Sequence, residues 1–469
     1  MDTDVVIAGL GPTGAVLAGL LAQWGVRSIA VERDVEVYRL PRAAHFDAEI
    51  MRVFQQLGIA DDLLPHTRSL AYYEFRNALG DVLMRTEQGG RDGALGWRNS
   101  YMFHQPAMEE LLRARLASSP LCELRLGEGI VGLERNAADG VTVRLSGGET
   151  LSAHYLVGCD GANSTVRRLC DIDLFDFGFD EPWLVIDVVT TSEEKLPQGG
   201  LQLCDPTRPT TVMPMSPGRR RWEFMLLPGE TPADMLDDAV INRLLEPWLA
   251  PGEGEIVRKA VYRFHGLVAT RWRDASVLLA GDAAHQMPPF MGQGMCSGIR
   301  DAAALAWRLG MILKHGAGDG LLDSYQVERD PHVRAIVAMA IAMGRIVCTT
   351  DAKAAAERDK AMLANTQPAG VGGLPPLTGG YLHPSPAAGE IFPQPTIDGR
   401  RLDDVVGHDF LLVARGAVPT AVPDHVRVLA ATGALSDWLE RHGTEAVLVR
   451  PDRYVFGTGK PAELLAALG

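Results

Sequence analysis

The chain has 469 residues, enough for two or three domains at roughly 150 residues each and for a sizeable core. Its 46% hydrophobic and 22% charged residues are ordinary for a globular protein and leave little room for extensive disorder. A formal net charge of -14, from 45 basic and 59 acidic residues, repels phosphate backbones and argues against nucleic acid as a partner.

The six cysteines are scattered with no C-x-x-C pair, which indicates neither a zinc site nor a disulfide framework and fits a reducing cytoplasm. The twelve histidines show no H-E-x-x-H or similar ligand spacing, so no metal is expected. The N-terminus lacks a basic segment, and the uncharged run from Leu10 to Val26 is glycine-punctuated and too short to span a bilayer comfortably. Neither a signal peptide nor a membrane span is predicted.

Val5 to Ala8 form an apolar run, followed by Gly9-Leu10-Gly11-Pro12-Thr13-Gly14 and by Leu17, Leu20, Leu21 and Trp24 at helical spacing. A second apolar run, Ser28 to Val31, ends in Glu32, completing a βαβ unit of about 30 residues. One glycine makes the turn, one lets backbone approach a pyrophosphate, and one allows helix and strand to pack closely. The helix start offers N–H groups and a positive dipole end to a dianionic pyrophosphate, and Glu32 a carboxylate to ribose hydroxyls. This motif predicts a dinucleotide without separating FAD from NAD.

Further along, Tyr155 to Val157 run as a strand into the polar turn Gly158-Cys159-Asp160-Gly161-Ala162-Asn163-Ser164 and a short helix carrying Arg167. Strand-like stretches follow at Leu184 to Val189, Thr210 to Met215 and Trp222 to Leu227. Val277 to Leu279 form another buried strand, which breaks at Gly281-Asp282 into a loop with Pro288-Pro289 and Gly292-Gln293-Gly294 before a helix. Residues 364–395 are rich in Pro and Gly and read as a linker. After it, Phe410 to Ala414, Val426 to Leu429, Ala446 to Val449 and Tyr454 to Phe456 are short apolar strands.

Together the three strand-turn-helix motifs resemble the class A flavin monooxygenases, the aromatic hydroxylases of the p-hydroxybenzoate hydroxylase fold. The segments Phe290 to Cys296, Cys204 to Pro209 and Arg221 to Glu230 look most like the 3-(3-hydroxyphenyl)propionate hydroxylases and related polyketide and antibiotic hydroxylases. The resemblance implies an α/β and α+β chain. A discontinuous Rossmann-like FAD-binding domain takes 1–68, 99–172 and 273–363, and an antiparallel substrate sheet takes 69–98 and 173–272. After the linker, 396–469 would be a small thioredoxin-like C-terminal domain, without cysteines and so without thiol redox chemistry.

Cofactor contacts are expected from Gly9, Gly11, Pro12, Thr13, Gly14, Glu32 and Arg33 in the first motif. By resemblance they also come from Arg42, Gln105, Asp160, Gly161, Arg167, Gly281 and Asp282, the last on the ribityl chain. Pro288 would line the flavin ring, with Gly292, Gln293, Gly294 and Met295 at its pyrimidine edge, where a helix N-terminus suits the negative charge of the reduced ring. The implied chemistry is reduction of FAD by NADH or NADPH, addition of O2 at the flavin C4a, and transfer of OH from that hydroperoxide to a phenolic or other electron-rich ring. Epoxidation, Baeyer-Villiger insertion and a flavin-binding role without turnover stay open, as does the oligomeric state, a homodimer included.

A base beside a phenol would help, and His45 is the candidate, against a reading as a packing or surface histidine. His285, after the Asp282 turn, reads as structural. Arg219, Arg220 and Arg221 could attract a substrate carboxylate or a cofactor phosphate, or form a solvated turn. Trp183, Met213, Trp222, Phe224 and Met225 could line the substrate pocket or simply pack a core.

Overall fold

The computed structural model describes residues 1–40, 42–87, 92–136, 140–365 and 373–468. Pro41 and residues 366–372 of the expected linker lie outside the described residues. The strand Thr3–Ala8 is buried along its whole length, as a run of Val and Ile covered on both faces must be. It lies at the centre of a sheet, paired in parallel with Ser28–Glu32 on one side and Thr150–Gly158 on the other. Val277–Leu279 adds in parallel beyond Thr150–Gly158, and Cys122–Leu126 beyond Ser28–Glu32. Strands from three distant parts of the chain therefore end side by side at one carboxyl edge, where an open α/β sheet places its ligands.

A second sheet of eight strands runs in the order His285–Gln286, Gly254–Ala269, Leu174–Thr190, Arg219–Met225, Thr210–Pro214, Gly200–Cys204, Tyr72–Asn77 and Val82–Glu87. Apart from the parallel pair Gly200–Cys204 and Tyr72–Asn77, its pairings are antiparallel. Strand periodicity divides its residues between two faces. Leu184, Ile186, Val188, Trp222 and Phe224 share a core with Ile241 and Leu245 of the helix Asp238–Leu245. The opposite face carries Val185, Asp187, Arg221 and Glu223, and it meets the first sheet.

The helix Gly294–His315 follows the third motif and packs on Pro12–Gln23, and Asp323–Val347 continues the helical layer. In the C-terminal sheet, Phe410–Ala414 pairs in parallel with Val426–Ala430 and antiparallel with Ala446–Val449, which pairs with Val455–Gly459. This sheet is fastened to the rest by buried ion pairs. Arg52 Nε donates to Asp403 at 2.7 Å, and Arg450 Nη1 donates to Glu328 at 2.6 Å. Glu328 also accepts from Arg308 at 2.9 Å. Among the described residues no single helix is long and apolar enough to cross a membrane, and no cluster of three or more His, Cys, Asp or Glu could hold a metal ion.

Candidate functional site

One cavity of about 1520 Å³ lies between the carboxyl edge of the first sheet and the inner face of the second. It exceeds the roughly 300–1,000 Å³ of a typical single-ligand pocket. Gly9, Gly11, Pro12 and Thr13 line it. Gly9 has a φ of +93°, and a Cβ there would sit 2.5 Å from the Cys159 carbonyl oxygen, so the first motif can abut the second only as glycine. A Cβ on Gly14 would stand 2.0 Å from the Gly9 oxygen, so this glycine packs the helix behind the turn and is absent from the cavity wall. Around Gly11 a Cβ meets nothing within 4 Å, which leaves its face open to the cavity. Glu32 and Arg33 reach the wall, and Glu32 Oε2 accepts from Leu10 N–H at 2.7 Å, bracing the glycine turn.

In the second motif Asp160 accepts from Ser164 Oγ at 2.5 Å and from Thr165 N at 2.7 Å, holding the loop whose Gly161 and Asn163 face the cavity. Arg167 does not reach the cavity. Its guanidinium is buried, donating to the Ala283 carbonyl at 2.9 Å and the Ala162 carbonyl at 2.8 Å, and so ties the second motif to the third. Gly281 is likewise behind the wall: its φ is +61°, and a Cβ would lie 2.6 Å from Thr13 Oγ1. Asp282 does open onto the cavity as an exposed side chain, with no hydrogen bond to any described residue, and desolvation by the surrounding cavity walls pushes its carboxyl above the ordinary range against the pull of His285 and Arg42. Beneath it, buried Asp301 accepts from Gly281 N at 3.0 Å, from His285 Nε2 at 2.6 Å and from Arg329 Nε at 2.9 Å. His285 is thus a structural clamp.

Pro289 lines the cavity, whereas Pro288 is buried behind it, since extended backbone sends consecutive side chains to opposite sides. Gly292, at φ +63°, then turns the chain into the helix Gly294–His315. The wall takes in Gly292, whose N–H donates to the Pro289 carbonyl at 2.8 Å, and Gln293, Gly294 and Met295, whose N–H groups start the helix without an intrahelical acceptor. His45 lies against Gly292. Its Nδ1 is 3.3 Å from the Gly292 carbonyl, which can only accept, so that nitrogen carries the proton and Nε2 accepts from Ser100 Oγ at 3.0 Å. Burial lowers the His45 pKa and keeps the ring neutral. Gln105 lines the cavity with its amide already engaged: Oε1 accepts from the N–H groups of Arg42 at 2.8 Å and Ala43 at 2.7 Å. It thereby presents Arg42 to the cavity.

The substrate-side expectations divide by strand parity. Trp222 and Phe224 point into the core under Asp238–Leu245, away from the cavity. Trp183 and Met225 are on the inner face but packed shut, Trp183 against Phe290 at 5.7 Å between ring centroids and Phe264 at 6.1 Å. Met213 alone of the five lines the cavity. Beside Val185, Met213 and Phe264, the inner face offers the polar groups Gln202, Thr211, Arg221, Glu223, Arg258 and Tyr262. The three consecutive arginines are neither a substrate clamp nor a solvated turn as a group. Arg220 is fully buried on the other face, and Arg221 is bound to Asp187 through Nε at 2.7 Å and Nη2 at 3.1 Å. Sequence reasoning missed Glu223 and Asp187, although Arg221 and Glu223 at alternate positions around Trp222, and Asp187 alone within a run of Val and Ile, were a readable sign of polar groups on the inner face.

An elongated dinucleotide with a planar ring fits these groups: an open glycine turn at a helix start, a lone carboxylate at Asp282, and helix N–H groups at the far end. Residues 2–340 match the family described as FAD binding domain, and residues 421–469 match the HcaD C-terminal domain. A probable NADH-specific resorcinol 4-hydroxylase of Rhodococcus jostii (strain RHA1) is 37% identical, covering 99% of this chain and 93% of its own length. A 3-(3-hydroxy-phenyl)propionate/3-hydroxycinnamic acid hydroxylase of Mycobacterium sp. (strain JLS) is 35% identical over 97% of this chain and 89% of its own. Among solved structures, aklavinone-11 hydroxylase with FAD and aklavinone superposes with a TM-score of 0.85 at 25% identity, over 100% of this chain and 98% of that one. The OxyS anhydrotetracycline hydroxylase from Streptomyces rimosus gives 0.81 at 27% identity, over 100% and 98%.

Proposed function

The chain belongs to the FAD binding domain family and is a flavin-dependent aromatic hydroxylase that uses NAD(P)H and O2, and on that footing we propose how its own residues serve the reaction on a phenolic ring. The observation that carries the reading is the meeting of three strand ends, Ala8, Gly158 and Leu279, whose following loops line one cavity opposite a sheet face that carries buried polar groups. Bound FAD supplies the chemistry no side chain can, accepting hydride from the nicotinamide and activating O2 for transfer of one oxygen atom to the ring.

Gly9 to Thr13 hold the pyrophosphate with backbone N–H groups and the helix dipole, Glu32 and Arg33 flank the ribose, and Arg42 reaches across from the segment that Gln105 fixes. Asp160 shapes the second loop, Asp282 accepts from the ribityl hydroxyls, and Pro289 with Gly292 to Met295 borders the ring. The helix start at Gly294 favours negative charge there. The inner face of the second sheet closes over the ring and excludes water, which keeps oxygen transfer from ending as peroxide.

His45 is the base this site offers. Its neutral ring accepts from the Ser100 hydroxyl through the Nε2 lone pair, and a phenol proton passed through Ser100 would come to rest on that nitrogen. NADH is the proposed reductant, in keeping with the name of the Rhodococcus relative. The C-terminal residues 396–469 are proposed to form a thioredoxin-like domain of structural role, within the domain division set out from the sequence. The proposed setting is cytoplasmic, without nucleic acid or membrane partners.

The test is a panel of phenols offered to FAD-loaded protein, with coenzyme consumption, ring-hydroxylated product and peroxide measured together. Phenol-stimulated NADH oxidation with matching hydroxylated product is expected. Coenzyme oxidation that no phenol accelerates would sink the reading.

A further inference from the structure

Glu223 stands in the cavity wall with no role in holding the cofactor or activating the ring. It occupies the inner face of Arg219–Met225, across from Val185 on one neighbouring strand and Thr211 on the other. Its carboxyl is buried and accepts no hydrogen bond among the described residues, the nearest cation being Arg221 Nη1 at 3.9 Å, beyond hydrogen-bond range.

The groups around it are committed elsewhere. Arg221 donates to Asp187 through Nε and Nη2, and through Nη1 to the Arg42 carbonyl at 2.9 Å. Arg258 donates to Asp187 Oδ2 at 3.1 Å and to the Tyr262 hydroxyl. The two cations are therefore balanced by Asp187 and Glu223, and the cluster carries no surplus positive charge for an anion. Beside it, Thr211 Oγ1 donates to Gln202 Oε1 at 2.6 Å, Gln202 Nε2 donates to the Tyr73 hydroxyl at 2.7 Å, and that hydroxyl donates to the Phe290 carbonyl at 3.2 Å. Each proton in this chain points away from Glu223 toward the loop at Phe290.

We propose that Glu223 is the specificity-determining acceptor of the site, receiving a hydroxyl donor on an uncharged phenol and disfavouring rings that bear a carboxylate. The proposal deepens the hydroxylase reading and rests on it. A buried acceptor left unpaired is costly, so a ring with a second hydroxyl gains what a ring without one forgoes. A carboxylate in the same place would face Glu223 across a neutral cluster and must bring a proton with it. Burial, with the repulsion of Asp187, already pushes the Glu223 carboxyl upward against the pull of Arg221 and Arg258, so the proton that an incoming carboxylate requires would be taken up at Glu223.

The experiment titrates FAD-loaded protein with resorcinol and with 3-(3-hydroxyphenyl)propionate, following the flavin absorbance change as a binding readout. Resorcinol is expected to bind on the order of tenfold tighter or more. Glu223→Gln should weaken resorcinol about tenfold and leave the acid unchanged or tighter, narrowing the ratio. On the unaltered protein the acid should bind more weakly as pH rises, by up to about tenfold per pH unit where a proton is taken up. That measurement stands even if the variant fails to retain flavin. Tighter binding of the acid, an unchanged ratio in Glu223→Gln, or acid affinity that does not fall with pH would each overturn the proposal. Failure of the hydroxylase reading shows separately, as absence of hydroxylated product from every phenol whatever the binding ratio.

Discussion

Gly11 and Gly14 sit three residues apart in one turn and answer to different constraints. A side chain on Gly11 projects into the cavity and meets no protein atom, so Gly11→Val should fold with near-normal thermal stability yet purify largely without flavin, as its visible absorbance would report. Gly14→Ala forces a methyl against the Gly9 oxygen and should instead lower stability by roughly 1–3 kcal/mol in denaturant unfolding. His45 adds a pH signature. Its pKa is lowered by burial from the ordinary 6.5, so the neutral form persists to more acid pH, and the acid limb of kcat/KM should fall below 6.5. In His45→Asn that limb should vanish along with most of the rate. A wild-type acid limb at or above 6.5 would count against His45 as the base.

At the scale of elements, the loop after Val277–Leu279 depends on the first turns of the helix Gly294–His315. Asp301 on that helix accepts from Gly281, His285 and Arg329, all buried. Burial alone would raise its carboxyl pKa, but His285, Arg329 and the Gly281 N–H outweigh it and hold it below the usual range. Ionised Asp301 therefore contributes stability that is full above the unfolded value of about 3.9 and lost as pH falls through the lower folded value. Asp301→Asn, which leaves buried Arg329 without its counter-charge and His285 without its carboxylate acceptor, should cost roughly 3–5 kcal/mol at neutral pH. Urea unfolding at pH 7 and at pH 3 would measure the loss and its narrowing in acid.

Across the whole molecule, the C-terminal sheet is wired into the cofactor-side helices by charge. Arg450 bridges Glu328 and Asp452, with Arg308 on the far side of Glu328, and all four side chains are buried. Tyr454 donates to Glu49 at 2.7 Å, Glu49 accepts from Arg300 at 2.7 Å, and Arg300 donates to Gln293 at 2.9 Å in the loop at the cavity's far end. The C-terminal segment is thus part of the site's scaffold, and Tyr454 itself lines the cavity. Arg450→Met should destabilise the chain by roughly 3–5 kcal/mol, because Asp452 loses its cation and Glu328 keeps only Arg308. Calorimetry should show one lowered transition. A separate early transition of the C-terminal part alone would mean that the charges do not couple the two regions.

The three strand-turn-helix motifs were legible because their demands are local: a glycine where φ is positive, an apolar run where a strand is covered on both faces, and an acidic residue after the second strand. From these, the sequence by itself determined a dinucleotide site, and the family resemblance carried by all three motifs added FAD and the chain segments that meet around it. Which of several adjacent residues faces the ligand was decided only in three dimensions. Arg167 and Gly281 carry the right chemistry but are spent joining one motif to the next, and Pro288 gives way to Pro289 by a single step of extended backbone. Trp222 and Phe224 turned away from the pocket because the helix Asp238–Leu245 covers that face of the sheet, leaving Arg221 and Glu223 to line it. Parity along a strand is written in the sequence, but which face meets a helix and which meets a cavity depends on partners far away in the chain, and only packing settles it.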